Sequence, residues 1–344
     1  WSGSVQRQIG RHMSVEAAYV GSRITRVGLP DVNLNQLSVE QLSMGAALQQ
    51  RVPNPYFGVI PRSSSLGDPT IPVAQLLRPY PQYTTVSLYR NNVGTTAYHG
   101  LAMKLEQRLS RGLSYLVSYT RSTLVDDASS VFDASILTGP VANYPVADSF
   151  DRGRERDYST GDIPHVFAAS GVWTLPFGQG SGVGARLARD WTVAGVLTLQ
   201  SGVPIAVTQA TNNNLFAGFG TQRPNLVGDP ALPADQRGPT ACATGVCPIV
   251  WINTAAFATA PAFTLGSASR NPVRGPSYRN LDLSVARRLA TGATTAVEVR
   301  AEIFNALNTA QFGAPNGSFG GAAFGTITTA LDPRVMQLAV KVLF

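Results

Sequence analysis

Charge is scarce in this sequence. Only 14% of its 344 residues are Asp, Glu, Lys or Arg, where soluble domains average about 25%. Long apolar runs are also missing: no stretch of about 18 or more apolar residues occurs, which excludes a membrane-spanning helix. One of the two longest uncharged stretches, 238–269, is broken by Pro239, Pro248 and Pro261 and reads as loop. Basic residues (27) exceed acidic ones (20), giving a net charge of +7 and a pI near 9.7. No basic run exceeds the pair Arg287–Arg288, however, so the charge is scattered and no nucleic-acid partner is expected. The chain has just two cysteines, Cys242 and Cys247, and three widely separated histidines, His12, His99 and His165. A structural metal wants four ligands, so a local disulfide in an oxidising compartment fits the cysteines better, and no cofactor is expected. An initiator Met and a leader are lacking too, and Trp1 opens inside a strand-like segment. The sequence therefore reads as a fragment, and the missing leader does not argue against export.

What is present is turn chemistry and alternation. Gly (33) and Pro (23) are dispersed among Val, Leu, Tyr and Phe, which suits many strands and turns rather than collagen or disorder. Period-two patterning recurs along the chain. Leu101, Met103, Leu105 and Leu109 alternate with Ala102, Lys104, Glu106 and Arg108; Gln107 is the exception. Leu281, Leu283, Val285 and Leu289 alternate with Asp282, Ser284, Ala286 and Arg288, and Val297, Val299, Ala301 and Ile303 with Glu298, Arg300 and Glu302. Nine strands are predicted, at about 1–9, 14–24, 97–109, 113–124, 162–175, 191–202, 278–289, 295–307 and 333–344.

Most of these segments exceed the usual globular strand of about 5–6 residues and suit a tilted bilayer crossing, which needs about 9–11. The connections alternate between short and long, as in outer-membrane barrels with tight periplasmic turns and long outer loops. Trp173, Phe177, Trp191 and Phe344 fall near the short-turn end, where an interfacial aromatic girdle is expected, and Arg287 at the same end can snorkel into the headgroups. Lys104, Glu106, Arg108, Asp282, Arg288, Glu298, Arg300 and Glu302 are predicted to face the lumen, with Arg288 pairing across strands to Glu298 or Glu302. The alternative for these charges is a role in docking a plug or guiding substrate. The last strand places Met336, Leu338, Val340, Val342 and Phe344 on one face. An apolar alternation ending in an aromatic looks like a signal for the barrel-assembly machinery.

The expected fold is therefore all-β: an antiparallel up-and-down transmembrane β-barrel, of which residues 1–344 form a C-terminal part of about nine strands. Long extracellular loops are expected at about 25–96, 125–161, 203–277 and 308–332. An odd strand count and bare edges place further strands before Trp1.

Five segments carry a family resemblance: 97–130 (AYHGLAMKLEQRLSRGLSYLVSYTRSTLVDDASS), 162–178 (DIPHVFAASGVWTLPFG), 251–284, 297–316 (VEVRAEIFNALNTAQFGAPN) and the last strand. Together and in this order they resemble the C-terminal barrel of Oar-like TonB-dependent receptors, which carry a carboxypeptidase-regulatory-like domain, a plug and a barrel. Residues 1–96 match only loosely. The resemblance implies a barrel of about 22 strands around a plug, non-enzymatic, in a Gram-negative-type cell outer membrane, taking up a large solute with energy from the TonB complex through the plug. It also implies outer-membrane lipid, lipopolysaccharide and the barrel-assembly machinery as partners. A surface-adhesion or protein-secretion barrel, and a passive porin, are the alternatives; a soluble β-sandwich is a further one. One departure stands out: the family's Arg-His pair after Asp162 is replaced by Ile163-Pro164-His165, and Pro164 suits a strand start.

Catalytic chemistry finds little support. No Gly-x-Ser-x-Gly elbow sits between a strand and a helix. The glycine-rich 178–184 lacks the Gly-Lys-Ser/Thr ending of a phosphate loop and a following helix, so a flexible turn is expected. Asp126, Asp127 and the cluster Asp151, Arg152, Arg154, Glu155, Arg156 and Asp157 read as a solvated outer loop, and Asn253 and Arg274 as residues that fix loop conformation. The solute and its ligand-binding residues stay unknown from sequence.

Overall fold

A computed structural model describes the chain except residues 29–31, 89–90, 128–145, 179, 181, 242–246, 291 and 293–294. Its main sheet contains nine long strands: β1 Ser2–Ile9, β2 Met13–Val27, β3 Gly94–Ser110, β4 Leu113–Asp126, β5 His165–Thr174, β6 Trp191–Gln200, β7 Tyr278–Ala290, β8 Ala296–Phe304 and β9 Val335–Leu343. Each pairs antiparallel with its sequence neighbour, in the order β1 to β9, with no crossover. The short segment Asp157–Tyr158 adds to the loop end of β4. The wall is an open arc whose edges are β1 and β9.

Local chemistry explains the hairpins. The β3–β4 turn is Arg111–Gly112, with φ of 52° and 79°, the paired positive values that match the twist of flanking strands. A side chain at Gly112 would also run into the Thr174 carbonyl, 2.6 Å from where its Cβ would lie. Connections 10–12, 111–112, 175–190 and 291–295 lie at one end of the wall, and 28–93, 127–164, 201–277 and 305–334 at the other.

Strand ends differ from the sequence reading where a side chain intervenes. β5 starts at His165 rather than 162, because the Asp162 carboxylate accepts the Leu124 N–H at 2.6 Å and so belongs to the preceding turn. β8 stops at Phe304, where Asn305 turns to a φ of 50° and donates its N–H to Asp282 at 2.9 Å. β2 runs on to Val27 through a bulge at Arg26. The connection 175–190, whose glycine-rich 178–184 was expected as a flexible turn with no following helix, carries the short helix Val183–Ala188, held by the Trp191 indole donating to the Leu187 carbonyl at 2.8 Å.

Register sorts the side chains into two faces. Val15, Leu105, Val117, Ala169, Leu197 and Leu281 lie in one row across six strands. The adjacent row reads Glu16, Lys104, Ser118, Ala168, Thr198, Asn280. One face is apolar, the other polar and charged, as a membrane wall requires. Among the described residues, no helix is long and apolar enough to cross a membrane.

The buried core lies outside the wall. The largest fully buried side chains, led by Phe219, Leu37, Leu42, Leu48, Ile71, Ile252 and Ile327, all belong to the long connections. One cluster joins Leu37, Leu42, Leu48 and Ala74 from 28–93 to Ala217 and Phe219 from 201–277. A second joins Val207, Ile252, Phe257 and Val273 to Phe324 of 305–334, with Phe257, Phe319 and Phe324 meeting at ring distances of 5.3–6.2 Å. Burying each large side chain contributes about 1.5–3 kcal/mol.

Candidate functional site

The long connections form one folded cap over an end of the wall. Leu37 N–H donates to the Ala217 carbonyl at 2.9 Å, and the pairing of Ile249–Val250 with Thr326–Ile327 joins 201–277 to 305–334. Gln36 donates to Asp148 at 2.8 Å, bringing in 127–164.

Ion pairs bind the cap further and correct the expectation of a solvated loop at Asp126 and Glu155, which are buried, while Asp151 and Arg156 of the same cluster stay exposed. Arg270 meets Asp126 at 2.5 Å, with side chains 3% and 4% exposed. Arg223 meets Glu155 at 2.6 Å, also buried, and donates to the Arg154 carbonyl. Arg274 reaches the buried Asp162 carboxylate at 2.5 Å and lies over the Tyr158 ring. The acids sit in the 126–162 stretch and their partners more than 60 residues away in 201–277, so no local pattern announces the pairs; a charge inside a low-dielectric core has to find its counter-ion. Burial lowers the Arg223 pKa, against the pull of Glu155. Burial pushes the Asp127 carboxyl up, but the Thr95 N–H and the Arg152 guanidinium outweigh it and hold the group below its usual range. Asn253, donating to the Asp229 carbonyl at 2.8 Å, holds a loop in place, as Arg274 does.

Between 28–93 and 201–277 the cap encloses a cleft of about 580 Å³, lined by Asn33, Arg51, Gln75, Arg78, Phe216 and Phe219 among others. Arg78 is buried with no carboxylate partner among the described residues, and it donates to the Thr84 and Phe216 carbonyls at 2.6 and 2.7 Å. Desolvation lowers its pKa. Sequence reasoning missed this cleft because its walls come from two distant segments. Among the described residues no group of three or more His, Cys, Asp or Glu is placed to hold a metal ion.

The charges singled out in sequence share the polar face but do not all meet. Lys104 and Glu106 pair at 2.9 Å, with Arg108 at 4.0 Å beside a bulge. Arg300 sits between Glu298 and Glu302 of its own strand, at 2.6 and 3.4 Å. Arg288 lies opposite Glu298 in register, yet Glu298 takes Arg300 instead, so the expected cross-strand pairing gives way to pairing along β8. Asp282, at the cap end, accepts the Asn305 N–H.

At the short-turn end Trp173 and Phe177 meet edge to face with ring centroids 6.4 Å apart. Trp191 lies under the Arg287 guanidinium at 5.5 Å, and Arg287 also donates to the Arg186 and Arg189 carbonyls. Phe344 follows β9 at this end and is fully exposed. Met336, Leu338, Val340 and Val342 extend the apolar row of β8 on the outermost strand, all more than 60% exposed. Cys247 is disulfide-bonded; Cys242, the partner expected from sequence, lies outside the described residues.

The outer membrane beta barrel domain family matches residues 1–337. Solved structures similar in fold include the outer membrane transporter YddB from Escherichia coli, at 11% identity and a TM-score of 0.41, covering 99% of this chain and 32% of that one. FpvA of P. aeruginosa, solved with bound pyoverdines, shows 9% identity and a TM-score of 0.39, covering 99% and 27%. The chain thus spans about a third or less of their length. A comparison with curated proteins finds no match. A nine-strand wall with one apolar face is what a bilayer demands, and with the family matched over nearly its whole length this chain belongs to the outer membrane β-barrel domain family and resides in the cell outer membrane.

Proposed function

We propose that this chain forms part of the barrel of a TonB-dependent, Oar-like outer-membrane transporter, non-enzymatic, that takes up a solute too large for porins. In this reading the apolar face meets lipid, the charged face meets a lumen with its plug, and the long connections face outward. β1 and β9 pair with further strands, because unpaired backbone groups cannot face hydrocarbon. Met336, Leu338, Val340, Val342 and Phe344 present the assembly signal, and Trp173, Phe177 and Trp191 mark the inner interface.

The observation that carries the proposal is the folded cap. Its cleft of about 580 Å³ lies within the range of about 300–1,000 Å³ typical of small-molecule sites. Solute first contacts the cap and plug; rearrangement of the plug, driven from the inner membrane, then opens a path past the fixed wall.

The test joins intact mass and N-terminal sequencing of the native protein to its conductance in planar bilayers. A much longer chain with a plug-like region before Trp1, and a closed barrel, are the expected results. An open, steady conductance would make it a porin. Loss of surface attachment on cap deletion, with uptake unchanged, would make it an adhesin.

A further inference from the structure

Three arginines among the described residues are buried, Arg78, Arg223 and Arg270, and all belong to the cap. Arg223 has Glu155 at 2.6 Å and Arg270 has Asp126 at 2.5 Å. Arg78, 9% exposed, has carbonyls instead: one terminal nitrogen donates to Thr84 and the other to Phe216. Its Nε is shut off from solvent and meets no acceptor among the described residues. A carbonyl is a dipole without net charge, so these contacts orient the guanidinium and leave its charge without a counter-ion. An unpaired charge is costly to bury, and desolvation lowers the Arg78 pKa accordingly.

Place as well as pairing sets Arg78 apart, because it lines the cleft of about 580 Å³ between 28–93 and 201–277. The carboxylate on that lining, Asp68, lies 3.4 Å from Arg51, and both side chains are about half exposed. Arg51 is held further by the Thr70 hydroxyl, to which its Nε donates at 2.9 Å. The rest of the lining is neutral, with Leu66, Ile71, Phe216 and Phe219 supplying an apolar wall. With Arg51 and Asp68 offsetting each other, the cleft keeps one positive charge beside aromatic and aliphatic carbon.

We propose that this cleft binds a small organic monoanion, a carboxylate carried on an apolar or aromatic body, with the carboxylate serving as the counter-ion of Arg78 and the body lying against Phe216 and its apolar neighbours. The inference rests on the reading of the cleft as the place where solute first contacts the cap. A planar carboxylate matches the fork of one guanidinium in charge and in shape. A phosphate monoester carries about −1.5 to −2 near neutral pH and calls for a second cation, which Arg51 does not offer while it holds Asp68. A neutral solute would leave Arg78 as it is, buried and unpaired. The apolar wall excludes water around the contact, which strengthens the attraction between the two charges.

The experiment places the complete native protein in lipid nanodiscs and measures binding of three probes of one shape, naphthoate, naphthamide and naphthyl phosphate, by equilibrium dialysis against empty nanodiscs. Naphthoate is expected to bind about ten-fold or more tighter than the neutral amide, and tighter than the phosphate. R78Q should abolish the preference for naphthoate over the amide, R78K should keep part of it, and R156Q, at an exposed arginine elsewhere in the cap, should match wild type. Equal binding of naphthoate and amide by wild type, tighter binding of the phosphate, an unchanged preference in R78Q, or an equal loss in R156Q overturns the proposal. If R78Q leaves the cap unprotected in hydrogen exchange, R78K decides: a reduced preference supports the proposal and an unchanged one overturns it. An open, steady conductance with the naphthoate preference intact would remove the transport reading and leave this one standing, whereas a closed barrel without the preference would remove this one alone.

Discussion

The Arg270 guanidinium donates to the Asp126 carboxylate at 2.5 Å across 144 residues of sequence, fastening the last residue of β4 to the connection between β6 and β7. Both side chains are almost wholly buried. Removing one partner strands the other charge, at a cost of about 3–5 kcal/mol. Arg270→Ala should therefore loosen 157–162 and 268–274 together in hydrogen exchange, while the wall strands keep their protection. Loosening confined to the substituted loop would show that the pair does not join them.

Acid should act on the neighbouring Asp127. Its carboxyl is held below the usual value of 3.8, so the stabilisation is present above that pH and is lost as pH falls through the lower folded-state value. Protection of the Thr95 amide, which donates to Asp127 at 2.6 Å, should hold from neutral pH to about 4 and then fall. Asp127→Asn should give a flat profile over the same range. A wild-type amide that keeps its protection at pH 2 would refute the linkage.

Face assignment has a direct energetic test. Leu197→Arg, on the apolar face, should cost about 2–4 kcal/mol in bilayer refolding, and its neighbour Thr198→Arg less than about 1 kcal/mol. The reverse order would turn the wall inside out.

The two cysteines should behave as a disulfide. In the native protein Cys242 and Cys247 are expected to resist alkylation until reduced, then each to take a label, and to lie in one cross-linked peptide before reduction. Labelling without reductant would exclude the pairing.

Residues 1–344 expressed alone should not refold as a monomer in water, because β1 and β9 leave unpaired edges. Reversible monomeric refolding, read by light scattering, would contradict this.

All nine wall strands were legible because alternation is a local property: Leu101 to Arg108 shows its two faces within a few residues. Boundaries slipped where a single side chain reached elsewhere, as at Asp162 and Asn305. The cap was opaque for the opposite reason. Leu37 has no neighbour in sequence that announces Phe219, and Glu155 gives no sign of Arg223. The acids of 126–157 resembled a hydrated loop because composition reports polarity and not counter-ions at long range. The aromatics and paired charges of the wall could be placed on a face from sequence, but not matched to partners, since Arg288 and Arg300 both lie beside Glu298.

The shared interior of the cap also bears on how such a protein changes over generations. Connections 28–93, 201–277 and 305–334 contribute to common clusters, so a substitution in one that reshapes the cleft alters the footing of another. Outer loops that wander independently can diversify one at a time under pressure from phage or antibodies. These would have to drift in concert, leaving correlated substitutions at positions such as Leu37 and Phe219 as the trace.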